Sequence, residues 1–353
     1  MIVTPHHLGR VEYADGLELQ RQFQEARRAS TVNDTLLLLE HPPVLTLGRG
    51  AKDANIITPR PVLESLGVAV FETDRGGDVT YHGPGQLVGY PLLHLVPGKQ
   101  DVRKYVRNIE EVIIRTLADF EIAGTRMPQW PGVWVEQSRL GGPRKICALG
   151  VHLSRWYTRH GFALNVQPNL SHFELIVPCG IREAGVTSMS LERQRDHSTP
   201  EVEARIAHHF AAVFEATLEP APPPTRTVAV AVLRDDGQVL LLERTEARGG
   251  FWQTVTGRIE PGESALEAAR RELHEETGLG LEPTGAQYVH SFAGGAATVI
   301  EETGFFARAR NGSPVTLSDE HSRAEWVTPE EALARLPFEG LREVVRRAVQ
   351  SSS

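Results

Sequence analysis

The chain has few cysteines, no excess of basic residues and no long apolar segment. Its two cysteines are far apart and lack a Cys-x-x-Cys spacing, which excludes a disulfide framework and argues against a zinc knuckle. The formal net charge is -8, so the composition does not favour nucleic-acid binding. No run of about 18 apolar residues occurs, and the start lacks the pattern of a secretion signal. We therefore expect a cytoplasmic protein that spans no membrane and forms no stable complex with nucleic acid.

The length allows two domains, and a proline-rich segment marks their boundary. With 353 residues and 41% hydrophobic content, the chain can bury two ordinary cores. The segment EPAPPPT contains three consecutive prolines, which lack N–H donors and favour an extended connector. The sequence predicts a first domain over 1–218, a linker over 219–225 and a second domain over 226–353.

Short apolar runs alternate with amphipathic segments before the linker. The runs DTLLLLE, GVAVFET and QLVGYPLLHL are bounded by Gly, Pro or Asp, which is typical of strands. Residues 101–120 and the segment after Pro200 predict helices. The apolar stripe of the first helix has three-to-four spacing and should face the core; it comprises Val102, Val106, Ile109, Ile113, Leu117 and Phe120. Mixed strands and helices predict an α/β or α+β sheet domain.

Of the two cysteines, Cys179 is the better candidate for a nucleophile. It follows the apolar run FELIV through a proline and precedes a glycine, which predicts a loop at the end of a strand. Cys147 lies in a run typical of a buried strand, where a thiol packs as a small hydrophobe. Because only a few per cent of an ordinary thiol is ionised at neutral pH, the nucleophile needs a positive neighbour. Lys145 is the candidate, although a structural cysteine and a surface lysine remain the alternative.

The segments RGGDVTYHGPGQLVGYPL, GVWV, KICALGVH, HGFALNV and VPCGI resemble, in this order, the motifs of the lipoyl(octanoyl) transferases. The resemblance spans about residues 8 to 218 and implies an α/β fold related to the lipoate and biotin protein ligases. It implies that octanoyl passes from octanoyl-acyl carrier protein to a cysteine and then to a lysine of a lipoyl domain, with no cofactor. The acceptors would be the 2-oxoacid dehydrogenase E2 subunits and the glycine cleavage H protein.

The resemblance assigns roles to individual residues. Cys179 carries the acyl thioester, and Lys145 lowers its pKa. Small side chains and backbone suit the wall of an apolar acyl tunnel, and three segments supply it: Arg75, Gly76, Gly77, Asp78, Val79, Thr80, Tyr81 and His82; Ala148, Leu149 and Gly150; Gly161, Phe162 and Ala163. An ATP-dependent lipoate ligase is the alternative, but the thiol nucleophile and the missing ligase-type phosphate loop speak against it.

After the linker, an apolar hairpin precedes an unusual acidic segment, GRIEPGESALEAARRELHEETGL. On a helix, Glu272, Glu275 and Glu276 share one edge, beside a stripe that contains Leu266, Ala269 and Leu273. Crowded carboxylates repel one another unless a divalent cation is present, and hard oxygen ligands suit Mg²⁺ or Mn²⁺. A solvated acidic face paired with arginines is the alternative.

This segment, which begins at Gly257, is identified as a complete Nudix box. The resemblance implies an α/β/α sandwich in which Glu272, Glu275 and Glu276 bind metal, Glu263 assists and Arg271 orients a glutamate. An activated water would attack a diphosphate in a nucleoside or pterin phosphate, since FWQTVTGRIE and DEHSRAEWV are most similar to the dihydroneopterin-triphosphate and nucleoside-triphosphate branch. A non-catalytic nucleotide-binding module is the alternative. Trp252 either stacks on a base or packs on the core.

Overall fold

The computed structural model describes residues 1–52, 55–128, 130–176 and 185–351, and only the backbone of residues 286 and 287. The chain forms two compact units, of which the first comprises Met1–Pro222 together with Gly295–Ala297 and the second begins at Pro223. The division lies inside the proline-rich segment, and Thr225 already belongs to the first strand of the second unit. No helix in the described ranges is long and apolar enough to cross a membrane.

The first unit is built from strands with helices on its surface. Its strands are β1 Ile2–Arg10, β2 Asp34–Glu40, β3 Val44–Leu47, β4 Ala69–Glu72, β5 Val79–His82, β6 Gln86–Leu92, β7 Gly124–Met127, β8 Trp130–Val135, β9 Arg144–Ser154, β10 Tyr157–Asn165, β11 Gly185–Val186 and β12 Thr217–Leu218. Its helices are α1 Tyr13–Arg28, α2 Arg60–Ser65, α3 Val102–Asp119, α4 Met189–Arg193 and α5 Thr199–Phe214.

Two sheets organise the first unit. The larger sheet has the strand order β12-β1-β2-β6-β10-β9-β8-β7, with β11 beside β9, and the smaller sheet has the order β4-β3-β5. Strands β1 and β2 are parallel, whereas β2, β6, β10 and β9 pair antiparallel in turn. The apolar faces of α3 and α5 share one hydrophobic core with the larger sheet. The predicted mixed sheet domain is therefore confirmed.

Helix α3 follows the predicted amphipathic pattern with one exception. Ile109, Ile113 and Leu117 are buried, as their spacing predicts. Val102 is 42% exposed, and Tyr105 lies in the core instead. Val102 is the first residue of the helix, where the periodic pattern no longer ensures contact with the sheet.

The prediction of a strand before Cys179 is wrong. Residues Leu170–Leu175 form a 3-10 helix, and Ile176 makes only an isolated bridge to Ile56. Phe173 and Ile176 are buried in the core of the smaller sheet, so these two apolar side chains are buried although their segment forms no strand. Residues 177–184, including Cys179, lie outside the described residues.

The second unit is a sheet with helices on both faces. Its strands are β13 Thr225–Arg234, β14 Val239–Arg244, β15 Trp252–Gln253, β16 Val255–Arg258, β17 Thr284–Gly295, β18 Thr298–Ala309 and β19 His321–Val327; its helices are α6 Ala265–Thr277, α7 Pro329–Arg335 and α8 Glu339–Gln350. The strand order is β15-β14-β13-β18-β17, with β16 beside β13 and β19 beside β14.

Alternation along β13 explains the layering of the second unit. Val228, Val230 and Val232 share a core with α6, whereas Ala229 and Ala231 share a core with α7 and α8. Successive strand residues point to opposite faces, so the predicted α/β/α sandwich is confirmed. The predicted hairpin is short: β13 and β14 pair at Leu233 and Val239. Beyond this point β13 pairs with β16 and β14 pairs with β19.

Candidate functional sites

A slot opens in the first unit beside β5, β9 and β10. It is narrow, with a cavity volume of about 50 Å³. Its walls are small or apolar side chains with polar groups at intervals: Tyr13, Arg75, Gly77, Asp78, Thr80, His82, Val88, Tyr90, Ala148, Leu149, Gly150, His160, Gly161, Phe162 and Ala163. All three segments predicted to form an acyl tunnel contribute to this slot.

Strand register brings two of these segments together. In the antiparallel pair β9–β10, Ala163 lies opposite Ala148 and Gly161 lies opposite Gly150. A side chain at Gly161 would not fit, because its Cβ would lie 2.2 Å from the carbonyl oxygen of Gly89 on β6. Close approach of three strands therefore shapes this wall of the slot.

The segment from Arg75 to His82 divides between two environments. Thr80 and His82 line the slot, but Val79 and Tyr81 are buried in the core of the smaller sheet. This split follows from the alternation of side chains along β5. Gly76 does not line the slot, and its N–H donates to the carbonyl of Val151 at 2.9 Å.

Four slot residues were not predicted from the sequence: Tyr13, Val88, Tyr90 and His160. Val88 and Tyr90 lie on β6, next to β10, and Tyr13 begins α1, more than sixty residues earlier in the chain. The glycine-rich motif continues through β6. Because side chains alternate along a strand, Val88 and Tyr90 could have been predicted to share one face of β6. Nothing local in the sequence relates Tyr13 to the slot.

An acidic group fixes the orientation of His160. The Nε2 atom of His160 donates to Oδ1 of Asp74 at 2.8 Å, Arg159 forms an ion pair with the same carboxylate, and His152 bonds the Asp74 backbone oxygen at 3.1 Å. The bond from His160 and the charge of Arg159 hold the pKa of Asp74 well below its ordinary value. Asp74 therefore remains a carboxylate, and it holds the buried His160 ring at the slot.

The second slot histidine is neutral. Burial lowers the pKa of His82 to about 3. Its Nδ1 atom is 2.7 Å from Oε1 of Gln86, and because an amide oxygen only accepts, Nδ1 donates the hydrogen bond. Gln86 in turn donates to Oδ1 of Asn165 at 2.9 Å, and Asn165 donates to the carbonyl of Thr187 at 2.9 Å. This chain of bonds joins the slot to the residues that follow β11.

Lys145 lies on β9, where the chain returns after residues 177–184. Val186 pairs with Lys145 in the parallel pair β11–β9, and the N–H of Thr187 donates to the Lys145 carbonyl at 2.9 Å. The ammonium nitrogen lies 4.9 Å from the ring centroid of Trp134, within cation–π range. Val186 and Thr187, which follow residues 177–184 closely in the chain, therefore lie beside Lys145.

Cys147 has the properties of a structural cysteine. Its side chain is fully buried in the main core of the first unit. Burial raises the pKa of the Cys147 thiol well above its ordinary value, so it stays protonated near neutral pH and cannot act as a thiolate nucleophile.

In the second unit, the acidic segment folds as predicted into a loop and helix α6. Ser264 and Glu267 form a reciprocal capping box at the start of the helix, and Gly278 ends it with a φ of 69°. Ala269 and Leu273 are buried, whereas Leu266 is 38% exposed. A side chain at Gly257 would displace the Glu272 carboxylate, because its Cβ would lie 1.8 Å from the Glu272 carboxyl carbon.

Arg271 links the acidic side chains of the loop and helix. Its guanidinium donates to Glu263 at 2.9 Å, to Glu272 at 2.7 Å and to Glu275 at 3.2 Å. It also donates to the carbonyl of Arg258 at 2.8 Å. The hydrogen bonds from Arg271 lower the pKa of Glu263, so this glutamate is a fixed anion that holds the arginine.

Glu276 is the most perturbed carboxylate of the second unit among the described residues. Its side chain is buried, and its Oε2 atom has no hydrogen-bond partner. His321 approaches this oxygen only to 3.8 Å. Burial, followed by repulsion from Glu272 and Glu320, raises the pKa of Glu276 to about 8. Glu320 is a neighbour that the sequence did not predict.

Within the described residues, no three His, Cys, Asp or Glu side chains already form a group that could hold a metal ion. The carboxylates nevertheless fit a divalent cation chemically. Glu276 has a buried oxygen without a partner, which is costly unless a positive group binds there. Burial also raises the pKa of Glu272, although the hydrogen bond and charge of Arg271 act in the opposite direction.

Trp252 packs on the core. It contacts the hydrophobic cluster on the α8 side of the sheet, and the guanidinium carbons of Arg335 and Arg323 lie 5.2 and 5.7 Å from its ring centroid. Two guanidinium groups therefore lie within cation–π range of this ring.

Comparison with known proteins agrees with this division of the chain. Residues 12–211 match the lipoyl protein ligase A/B catalytic domain, and residues 223–348 match the NUDIX domain. An octanoyltransferase of Myxococcus xanthus is 53% identical over 98% of this chain and 99% of its own length. The chain belongs to the octanoyltransferase family and carries a NUDIX domain after the catalytic domain.

Other relatives match the first unit alone. An octanoyltransferase of Solibacter usitatus is 52% identical over 60% of this chain and 93% of its own length. The structure of a lipoate-protein ligase A bound with ATP covers 63% of this chain and 90% of that chain, with a TM-score of 0.50 and 14% identity. At that identity the likeness concerns the fold.

Proposed function

We propose that the first unit moves an octanoyl group from octanoyl-acyl carrier protein to a lysine of a lipoyl domain through a thioester on Cys179. The observation that carries the proposal is the narrow slot in the first unit of this chain, which belongs to the octanoyltransferase family. Lys145 lies on β9, the strand that also supplies Ala148 and Gly150 to the slot wall. Small and apolar walls suit a saturated acyl chain. Acceptors are the lipoyl domains of 2-oxoacid dehydrogenase E2 subunits and the glycine cleavage H protein.

The reaction needs no cofactor. The Cys179 thiolate attacks the thioester carbonyl of the donor, the bond to the carrier's sulfur breaks, and Lys145 returns a proton to the leaving thiolate. The amine of the acceptor lysine then attacks the Cys179 thioester, forms the amide and releases the thiol. An ATP-dependent ligase would instead activate a free acid. Formation of an octanoyl adduct on Cys179 from acyl carrier protein without ATP, detected by mass spectrometry, supports the transferase; a strict requirement for ATP contradicts it.

A bulky side chain in the slot should shorten the acyl chain that the enzyme accepts. Ala148 lies on the slot wall opposite Ala163, so Ala148→Leu fills space that octanoyl would occupy. We expect kcat/KM for octanoyl transfer to fall by about 100-fold, with a smaller loss for butanoyl, since overpacking costs about 1–3 kcal/mol in a fitted site. Steady-state rates with carrier proteins of both chain lengths measure the effect.

Val79→Leu provides the control for this variant. Val79 lies on β5 but packs in the core of the smaller sheet, so its enlargement should lower stability without changing chain-length preference. Equal loss of octanoyl and butanoyl transfer in Ala148→Leu would show that the slot does not hold the acyl chain.

For the second unit we propose metal-dependent hydrolysis of a diphosphate bond in a nucleoside or pterin phosphate. Glu272, Glu275 and Glu276 would hold Mg²⁺ or Mn²⁺. Glu263 accepts a hydrogen bond from Arg271 and so fixes the guanidinium beside Glu272. When bound, the cation supplies charge stabilisation and lowers the pKa of water. The buried, unpartnered oxygen of Glu276 supports this assignment.

A binding module without catalysis is the second candidate for the NUDIX domain. The two are separated by a screen of nucleoside and pterin phosphates with the full-length protein and Mg²⁺. Release of phosphate or pyrophosphate supports the hydrolase, whereas saturable binding without turnover supports the module.

A further inference from the structure

His160 lies at the end of the slot that is away from Lys145. On β9, Lys145 precedes the slot residue Ala148, whereas His160 of β10 lies opposite Val151, on the other side of Ala148. From Ala148 to Val151 the strand advances by about 10 Å, which is close to the length of an extended eight-carbon chain. An acyl group whose carbonyl lies on the Lys145 side would therefore end near His160.

The backbone of His160 has an unusual conformation. Its φ is 55°, in the left-handed region, which is unfavourable for a residue with a side chain. Alternation along β10 would place His160 on the same face as Phe162, whose side chain is buried in the main core. The His160 ring instead lines the slot and bonds Asp74, because the left-handed backbone interrupts the alternation. Strain of this kind persists where neighbouring groups hold it, and it is typical of functional sites.

Side chains from other elements hold His160 in place. Its N–H donates to Oε1 of Gln20 on α1 at 2.7 Å, and its ring Nε2 donates to Oδ1 of Asp74 at 2.8 Å. The His160 ring also meets the ring of Tyr90 edge to face, at 87° and with 6.2 Å between centroids. Tyr90 lines the slot as well. His160 and Tyr90 together form an end wall of the slot.

The side walls before this end wall are small. On one face, β9 contributes Ala148 and Gly150, and β10 contributes Ala163 and Gly161 opposite them. The next slot residue along β10 is His160, a bulky polar ring. Methylene groups beyond the length of octanoyl would press against this ring and bury it without offering it a hydrogen bond.

We infer that His160 is a specificity-determining residue that limits the acyl chain to the length of octanoyl, and that Asp74 is a positioning residue that holds the ring there. This inference rests on the proposed octanoyl transfer and adds to it the group that sets the chain length. One methylene more or less in a fitted pocket changes kcat/KM by roughly 10- to 200-fold. The longer dodecanoyl group is thus a poor substrate for the wild type.

His160→Gly tests the end wall in the full-length protein. Glycine adopts a positive φ readily, so this variant removes the ring and relieves the strain of the backbone. We expect the ratio of kcat/KM for dodecanoyl over octanoyl, both carried on acyl carrier protein, to rise by at least about 10-fold. Arg155→Gly is the control, since Arg155 is an exposed residue of the same hairpin with a φ of 51°. An unchanged ratio in His160→Gly overturns the inference.

Variants of Asp74 separate positioning from a general effect on stability. Asp74→Asn keeps an oxygen that can accept the bond from His160, so it should retain the preference for octanoyl. Asp74→Ala releases the ring and should shift the ratio in the same direction as His160→Gly, but by less. A loss of stability alone would lower transfer of both chains equally and leave the ratio unchanged. The wild-type ratio in Asp74→Ala would show that Asp74 does not position the ring.

Binding of free fatty acids distinguishes this inference from the proposed function. Calorimetry with octanoate and dodecanoate requires no turnover. We expect the wild type to bind octanoate more tightly than dodecanoate, and His160→Gly to lose that difference. This pattern, if the wild type transfers no octanoyl, supports the end wall and contradicts the proposed transferase. Octanoyl transfer by the wild type, with the same discrimination between the two acids in both proteins, contradicts the end wall alone.

Discussion

Cys179→Ala is expected to abolish octanoyl transfer without affecting the hydrolysis proposed for the NUDIX domain. Removal of the nucleophile from a covalent mechanism costs roughly 10⁴-fold or more, because the two half-reactions lose their shared intermediate. Transfer of octanoyl from acyl carrier protein to a lipoyl domain measures the loss. Mass spectrometry of the protein after reaction with donor alone should show one added octanoyl group in the wild type and none in the variant.

Cys147→Ala is the matched control. Cys147 is fully buried, and burial raises the pKa of its thiol. A substrate therefore cannot reach this thiol, and the thiol stays protonated near neutral pH. We expect it to keep transfer within about two-fold and to lose about 1–2 kcal/mol of unfolding free energy from the small cavity. Full transfer by Cys179→Ala, with an inactive Cys147→Ala that still folds, would reverse the assignment.

The three segments predicted from the motifs meet at one slot, but the motifs did not specify which of their residues line it. The sequence placed all residues from Arg75 to His82 on one tunnel, yet strand alternation sends Val79 and Tyr81 into another core. This division could have been predicted from the alternation of side chains once β5 was assigned as a strand. The position of Tyr13 could not, because it depends on how α1 packs against the sheet, which no local sequence pattern specifies.

Helical periodicity was more informative in the second unit. The spacing of Glu272, Glu275 and Glu276 fixes their common edge on any helix, and Arg271 indeed bonds two of them. The neighbours Glu320 and Arg244 come from other strands and loops, so their approach to Glu276 follows from sheet order. Secondary structure thus predicts the contacts within one element, and tertiary packing supplies those between elements.

Glu276→Gln is expected to lower Mg²⁺-dependent hydrolysis by at least about 100-fold. Replacement of groups that only support metal ligands already costs 10–100-fold, and Glu276 supplies the buried, unpartnered oxygen of the proposed site. Glu282→Gln is the control, since Glu282 pairs with Arg270 at the surface and should be dispensable. Initial rates with Mg²⁺ on the substrate found by screening measure both variants.

The same variant should change how stability depends on pH when metal is removed. The pKa of Glu276 rises from 4.5 to about 8 in the folded protein, so between these values the folded state binds more protons than the unfolded state. The free energy of unfolding therefore falls as pH rises from about 4.5 to 8. Glu276→Gln removes this contribution and should unfold at a higher temperature than the wild type at pH 9 in EDTA.

Addition of Mg²⁺ distinguishes a metal ligand from a merely strained carboxylate. A cation that binds the ionised carboxylate stabilises the folded state by mass action, so Mg²⁺ should raise the unfolding temperature of the wild type more at pH 9 than at pH 6. Glu276→Gln should lose most of that gain, because the amide cannot replace the negative charge. If Mg²⁺ raises the unfolding temperature of both proteins equally, Glu276 is not a metal ligand, and its burial serves some purpose other than metal binding.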